Sequence, residues 1–152
     1  MHLGTKERAA FAAAEKAIDS GLCAGTTIMT LKGETLIEDI VVGDRIITRD
    51  SGTSVVKDIK STTANVEMVC IKAGSLGHNR PDHDMLITPG ARLFIRDWRA
   101  EALFGATTAM VPAHRLVDGE FLSHQEAKEV TTYTLVFDRE HVIYADGVEV
   151  VS

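Results

Sequence analysis

An all-β domain behind a single N-terminal helix is the fold class this sequence predicts, and three observations predict it. After Gly21 the chain turns to β-branched and aliphatic residues, and turn-forming residues punctuate it about every eight to twelve positions. Near the end an Asp-Gly pair separates two alternating apolar runs, a strong short-range hairpin signal. With 152 residues, 45% hydrophobic and 25% charged, the chain has the length and composition of one packed domain, without long disorder or low complexity.

Residues 5–20 (TKERAAFAAAEKAIDS) are alanine-rich, with Thr5 as N-cap, no Gly or Pro inside, and Gly21 to stop them. They predict one helix of about three to four turns, with Phe11, Ala14 and Ile18 as a modest apolar stripe. The expected organisation is this helix over residues 1–20 and one β domain over 21–152. Strands are expected at 26–31 and 45–49, separated by turns at Lys32-Gly33, Val42-Gly43-Asp44 and Asp50-Ser51-Gly52. Further strands are expected at 53–60, 66–72, 84–88 and 92–95. Cys70 is read as a core residue of the second of these. A short helix follows at 97–104, stopped by Gly105 and anchored on the core by Trp98 and Phe104, and a single helical turn at 112–116. The last hairpin runs over 131–137, 141–145 and 148–151 about Asp146-Gly147. Residues 74–84, with Gly, Asn and Pro, form the longest expected loop.

Lys and Arg total 16 against 22 Asp and Glu, a net charge of −6, and no basic run or basic-aromatic interleaving could track a phosphate backbone. Nucleic acid is therefore not an expected partner. No apolar run reaches the roughly 18 residues a spanning helix needs. Lys6 and Arg8 are followed by no apolar segment of the kind a signal peptide requires. Two cysteines, Cys23 and Cys70, are too few for a disulfide framework, so the redox compartment and the localisation stay open.

Residues 23–50 (CAGTTIMTLKGETLIEDIVVGDRIITRD) resemble the opening block of Hint (Hedgehog/intein) domains. The shared elements are Gly25-Thr26, an apolar strand from Ile28 to Leu31, the Lys32-Gly33 turn, the stretch from Leu36 to Ile40, Gly43-Asp44, and Ile46-Ile47. Residues 140–152 (EHVIYADGVEVVS) are similar to the closing block. Residues 85–93 (MLITPGARL) stand where such domains carry a strand with Thr-x-x-His. KAGSLG (72–77) and AMVPAHRLV (109–117) resemble a bacterial branch of the fold. The resemblance covers residues 21–152 and rests on the order and spacing of many elements.

It implies a compact β fold with pseudo-twofold halves, in which the first residue of the block attacks its own preceding peptide bond. That chemistry needs a thiol or hydroxyl nucleophile, a histidine to protonate the departing amide, an assisting Asp or second His, and backbone groups for the oxyanion. Splicing adds a terminal Asn that cyclises. Aligned on Gly25-Thr26, the usual nucleophile falls at Gly21 or Leu22, with Cys23 displaced. At the Thr-x-x-His position the chain reads Thr88-Pro89-Gly90-Ala91, so Thr88 is retained and the histidine is not. The closing His-Asn positions hold Val151 and Ser152. His141 matches the histidine of the closing block. The candidate catalytic residues are thus Cys23, Thr88 and His141, with His141 expected either to face Cys23 or to hydrogen-bond the turn at 138–140.

The expected function is a Hint-fold module that has lost splicing and efficient self-cleavage and acts in structure or interaction, its partner being a protein or a segment of its host protein. The rival expectation is a single cleavage before Cys23 through a thioester at Leu22. A third class, a ligand or metal-binding domain using His78, Asp82, His83 and Asp84, leaves both terminal blocks unexplained. Their spacing fits no standard zinc signature, and no cofactor or metal is expected.

Overall fold

Asp146 and Gly147 both have positive φ, 49° and 84°, the geometry of a two-residue type I′ turn. They join β13 (Val142–Ala145) to β14 (Val148–Val151), with Ala145 opposite Val148, as the Asp-Gly pair predicts. Asp146 also ties this hairpin to the first part of the domain. Its Oδ1 accepts from both the backbone N–H and the hydroxyl of Thr27, each at 2.9 Å. The computed structural model describes residues 20–152, and the helix expected over residues 5–20 lies outside them.

The largest sheet is built on that hairpin. Its path runs β10 (Ala109–Pro112), β9 (Arg92–Ile95), β14, β13, β2 (Thr27–Thr30), β4 (Arg45–Thr48) and β5 (Gly52–Val55), with β3 (Gly33–Leu36) paired to β2. A second sheet has three strands. In it β12 (Lys128–Val136) lies between β6 (Asp58–Val66) and the two-residue β1 (Leu22–Cys23). A third sheet places β7 (Val69–Ile71) between β11 (Leu122–His124) and β8 (Met85–Ile87). Alternation along each strand sends one set of side chains inward. Ile28, Ile46, Ile143, Val150 and Leu93 meet Ile71, Met85, Ile87, Leu122 and Leu135 in one core cluster. Each such side chain, almost fully buried, contributes roughly 1.5–3 kcal/mol of burial free energy.

The short helix α1 (Trp98–Phe104) begins and ends as the sequence predicts. Asp97 caps it by accepting from Arg99 N–H at 3.0 Å, and Gly105 closes it with φ 65°. A 3-10 turn at Ala113–Leu116 follows Pro112, again as expected. What anchors α1 differs from the expectation. Trp98 is 63% exposed and Phe104 36%, while Ala100 and Arg99 are buried. Arg99 Nη1 donates to Asp97 and to the Ser75 carbonyl, and its guanidinium lies 4.7 Å from the Trp98 ring centre. An arginine whose donors are satisfied serves as the anchor, which leaves the indole outside.

The strands expected at 53–60 and 66–72 are cut differently, into β5, β6 and β7. Residues 61–65 (Ser-Thr-Thr-Ala-Asn) carry no apolar alternation because most of β6 is exposed. They are extended because all nine residues of β6 pair with β12, from Asp58 opposite Val136 to Val66 opposite Lys128. Cys70 is not a core residue. It sits on the half-exposed side of β7, between buried Val69 and Ile71, because a strand turns alternate side chains to opposite faces.

Candidate functional site

The strand-to-turn segment after β8 holds the chain where it enters the domain. Thr88 is fully buried and its Oγ1 donates to the Gly21 carbonyl at 2.6 Å. The turn that carries Thr88 is fixed on both sides. Ala91 N–H donates to the Thr88 carbonyl at 3.2 Å, Ala113 N–H to Ala91 at 2.8 Å, and His114 N–H to Pro89 at 2.9 Å. The 3-10 turn that follows Pro112 thus props the Thr-Pro-Gly-Ala turn from below.

Ser20 and Leu22, on either side of Gly21, line a cavity of about 390 Å³ together with Ala91, Tyr133, Phe137 and Ser152. Ser152 Oγ donates to the Leu135 carbonyl at 2.7 Å, and its backbone exchanges two 2.8 Å bonds with His141. The first and last described segments therefore meet against β12. Among the described residues no cysteine and no histidine lines this cavity. Ala91 presents only a methyl group to it. Gly21 has no side chain and little room for one: a Cβ there would stand 3.0 Å from Thr132 Cβ and 3.1 Å from the Tyr133 carbonyl.

Cys23 follows Leu22 in β1 and by alternation points the other way. It is 8% exposed and lines a separate cavity of about 500 Å³ together with Thr26, His83, Asp84, Glu129 and Asp146. His83 lies against two carboxylates there, with Nδ1 2.5 Å from Asp82 and Nε2 3.6 Å from Asp146.

His141 lines neither cavity. It is 3% exposed and both ring nitrogens are taken up, Nδ1 at 2.9 Å from Asp50 Oδ2 and 3.2 Å from Ser51 Oγ, Nε2 at 3.0 Å from Asp138 Oδ1. Phe137 packs edge-on against it with ring centres 5.6 Å apart. For Asp50, burial acts to raise the pKa, yet the Val142 N–H and the His141 ring outweigh it and the net shift is downward. For Asp138 the His141 hydrogen bond is the chief cause of a downward shift. His141 thus ties the turn after β4 to the turn before β13, in part as the 138–140 hydrogen bonding expected of it.

Of the three candidates, Thr88 alone meets the entering backbone, while Cys23 and His141 are seated elsewhere. Sequence reasoning placed the 138–140 turn beside His141 but missed Asp50 and Ser51, about ninety residues away with no shared spacing. It also missed Glu149, 2% exposed in β14. The signal was present, a lone acid in the apolar run Val-Glu-Val-Val. Its partners, Arg49, Arg80 and Arg96, come from three distant segments.

Comparison with known proteins follows this geometry. A family model described as Hint domain matches residues 20–152. No curated protein matches the chain. Among solved structures, a GSH-linked, splice-inactive variant of the AceL NrdHF class 3 split intein superposes with a TM-score of 0.62 at 13% identity, covering 88% of this chain and 97% of that one. The bacterial intein-like domain from Clostridium thermocellum superposes with a TM-score of 0.60 at 20% identity, with coverages of 88% and 97%. The MchDnaB-1 intein superposes with a TM-score of 0.54 at 13% identity, with coverages of 85% and 98%. At these identities the likeness establishes the fold. Among the described residues no helix is long and apolar enough to cross a membrane.

Proposed function

The chain belongs to the Hint domain family, and from that premise we propose that this member keeps the scaffold, has lost splicing and efficient self-cleavage, and works as a structural or interaction module. The observation that carries the reading is the hydrogen bond from Thr88 to the Gly21 carbonyl, made from a turn in which Ala91 stands at the histidine position. An N-to-S or N-to-O acyl shift needs a nucleophilic side chain on the residue that follows the attacked carbonyl, and an acid to protonate the amide nitrogen as it leaves. At the Gly21 carbonyl that Thr88 holds, the residue that follows is Leu22, which has no nucleophilic group; the other candidate first position, Gly21, has no side chain, and the histidine position is Ala91. In this reading Thr88 is a positioning residue that anchors the entering strand, and His141 is a clamp between two carboxylates. Cys23 is a small buried residue of β1.

A second reading draws on one specific observation. His83 lines the same cavity as Cys23, so a thiol attack by Cys23 on the Leu22 carbonyl would have an imidazole on its own side of the strand. In that reading His83, not His141, supplies the proton, and the chain is cut once before Cys23.

Intact-mass spectrometry of the full chain and of Cys23→Ala, incubated with and without a thiol or hydroxylamine, separates the two. Our reading expects both proteins to keep their full mass in every condition. A fragment ending at Leu22, formed by wild type and not by Cys23→Ala, overturns it in favour of the second. A companion variant, His83→Gln, then tests the proton donor.

A further inference from the structure

Glu149 is more heavily countered than its own charge requires. Its Oε1 accepts from Arg80 Nη1 at 3.2 Å and Arg96 Nε at 2.9 Å, and its Oε2 from Arg49 Nε at 2.9 Å. One carboxylate therefore stands among three guanidinium groups, a local excess of two positive charges in a chain whose net charge is −6. The acids nearest these arginines in sequence are committed elsewhere, Asp50 to His141 and Arg139, Asp82 to His83, and Asp97 to Arg99. Arg49 and Arg96 each spend only Nε on Glu149. Their Nη groups have no acceptor among the described residues, and the two side chains are 39% and 44% exposed. Arg49 is held in place besides, with its guanidinium 4.9 Å from the Phe94 ring centre.

The surroundings say what kind of anion this arrangement suits. Glu149 and Tyr144 are directly opposite in β14 and β13, and Ile47 shares the face of β4 that carries Arg49 by alternation. Tyr144, Ile47 and Met29 bound a cavity of about 260 Å³ on that same face. On the other flank Phe94 pairs with Met110, which is 53% exposed. Cationic forks with free donors, flanked on one side by a hollow that Glu34 also lines and on the other by the apolar pair Phe94 and Met110, match a carboxylate carried between apolar side chains better than a bare inorganic anion. A guanidinium fork binds a planar carboxylate through two parallel hydrogen bonds.

We propose that this outer face of the largest sheet is the docking surface of the module, and that its partner is a protein segment bearing an Asp or Glu carboxylate beside an apolar residue, clamped by Arg49 and Arg96 over Glu149. The proposal deepens the interaction-module reading and rests on it only in taking the domain to act by binding.

The test is a fluorescence-anisotropy titration of the full chain with a labelled peptide of sequence Leu-Glu-Phe-Glu-Leu, beside a Leu-Lys-Phe-Lys-Leu control and with inorganic phosphate as competitor. Saturable binding of the acidic peptide alone is expected, weakened about tenfold or more in Arg49→Gln/Arg96→Gln and little changed in Arg45→Gln, an exposed arginine at the start of β4. Because the double variant also loosens Glu149, Arg49→Lys/Arg96→Lys is measured with it. That variant keeps both charges but not the forks, and should bind more weakly than wild type with its thermal unfolding preserved. Equal binding of both peptides, no binding of the acidic one, or no effect of the arginine changes overturns the proposal. Displacement of the peptide by phosphate at matching concentration also overturns it, by reducing the site to a general anion patch. None of these outcomes depends on the mass assay, so self-cleavage would defeat the functional reading and leave this titration to decide the docking surface.

Discussion

Replacing Thr88 by valine removes one hydroxyl from a fully buried site and leaves its shape nearly unchanged. The hydroxyl donates to the Gly21 carbonyl at 2.6 Å. The net worth of such a bond is about 0.5–1.5 kcal/mol, and removing one member of a buried bond while the other stays costs about 1–3 kcal/mol in its place. A methyl carbon cannot stand 2.6 Å from a carbonyl oxygen, since favourable contacts begin near roughly 3.5 Å, so β1 must move away from the turn by a sizeable fraction of an ångström. No cavity is created, which removes the term that dominates most core substitutions. The expected loss is about 1.5–3 kcal/mol. Thr88→Ser keeps the hydroxyl and deletes one buried methyl, at about 1 kcal/mol, so the ordering is wild type, then serine, then valine. Urea unfolding measures it as a fall in midpoint at constant m, and thermal unfolding as roughly 2–4 °C for each kcal/mol. Amide exchange at Leu22 and Cys23 should quicken in the valine variant and not in the serine one. A valine variant as stable as wild type, or a serine variant less stable than valine, would refute the claim that this hydroxyl anchors the entering strand.

Three further outcomes test other parts of the molecule. Glu149→Gln leaves three guanidinium groups about a neutral amide, and since the carboxylate is 3% exposed while Arg49 and Arg96 reach solvent, the loss should be about 2–4 kcal/mol, read by denaturant unfolding. Gly147→Ala should cost about 1–3 kcal/mol, because the residue has φ 84° and a Cβ would stand 3.0 Å from the Asn79 carbonyl. Hydrogen exchange should show the loosening concentrated in residues 74–84. On acidification, the depressed carboxyls of Asp50 and Asp138 bind protons more readily in the unfolded chain than in the folded one. Their contribution is therefore complete above the ordinary value of 3.8 and lost as pH falls below it through the depressed folded values. Asp50→Asn should flatten that part of the stability profile, and an unchanged acid limb would count against the clamp.

Local physics was readable in the chain wherever a few neighbouring residues decide the outcome. Asp146-Gly147 fixes its hairpin because both positions must take positive φ. Asp97 and Gly105 bound their helix because a cap and a stop act within one turn. The order of blocks from Gly25 to Asp50 and from Glu140 to Ser152 named the family. Where the sequence misled, the cause was distant pairing or the choice of face. Residues 61–65 are a strand only because β12 lies beside them, and Trp98 faces outward only because Arg99 finds its acceptors within.

The same division runs through the site. The sequence by itself determined the fold class and the family, and it puts Gly21 or Leu22 at the first position and Ala91 at the histidine position, since each is a matter of which residue stands at a counted position. Only the tertiary structure decided that Thr88 grips Gly21, that Cys23 turns away from that cavity and shares another with His83, and that His141 is enclosed by Asp50 and Asp138. It alone gathered Arg49, Arg80 and Arg96 about Glu149. The reason is that a strand fixes a side chain's face by alternation but not what lies across from it. That is set by pairings between segments a hundred or more residues apart, such as Arg49 with Glu149 and Thr27 with Asp146, and no local spacing records them.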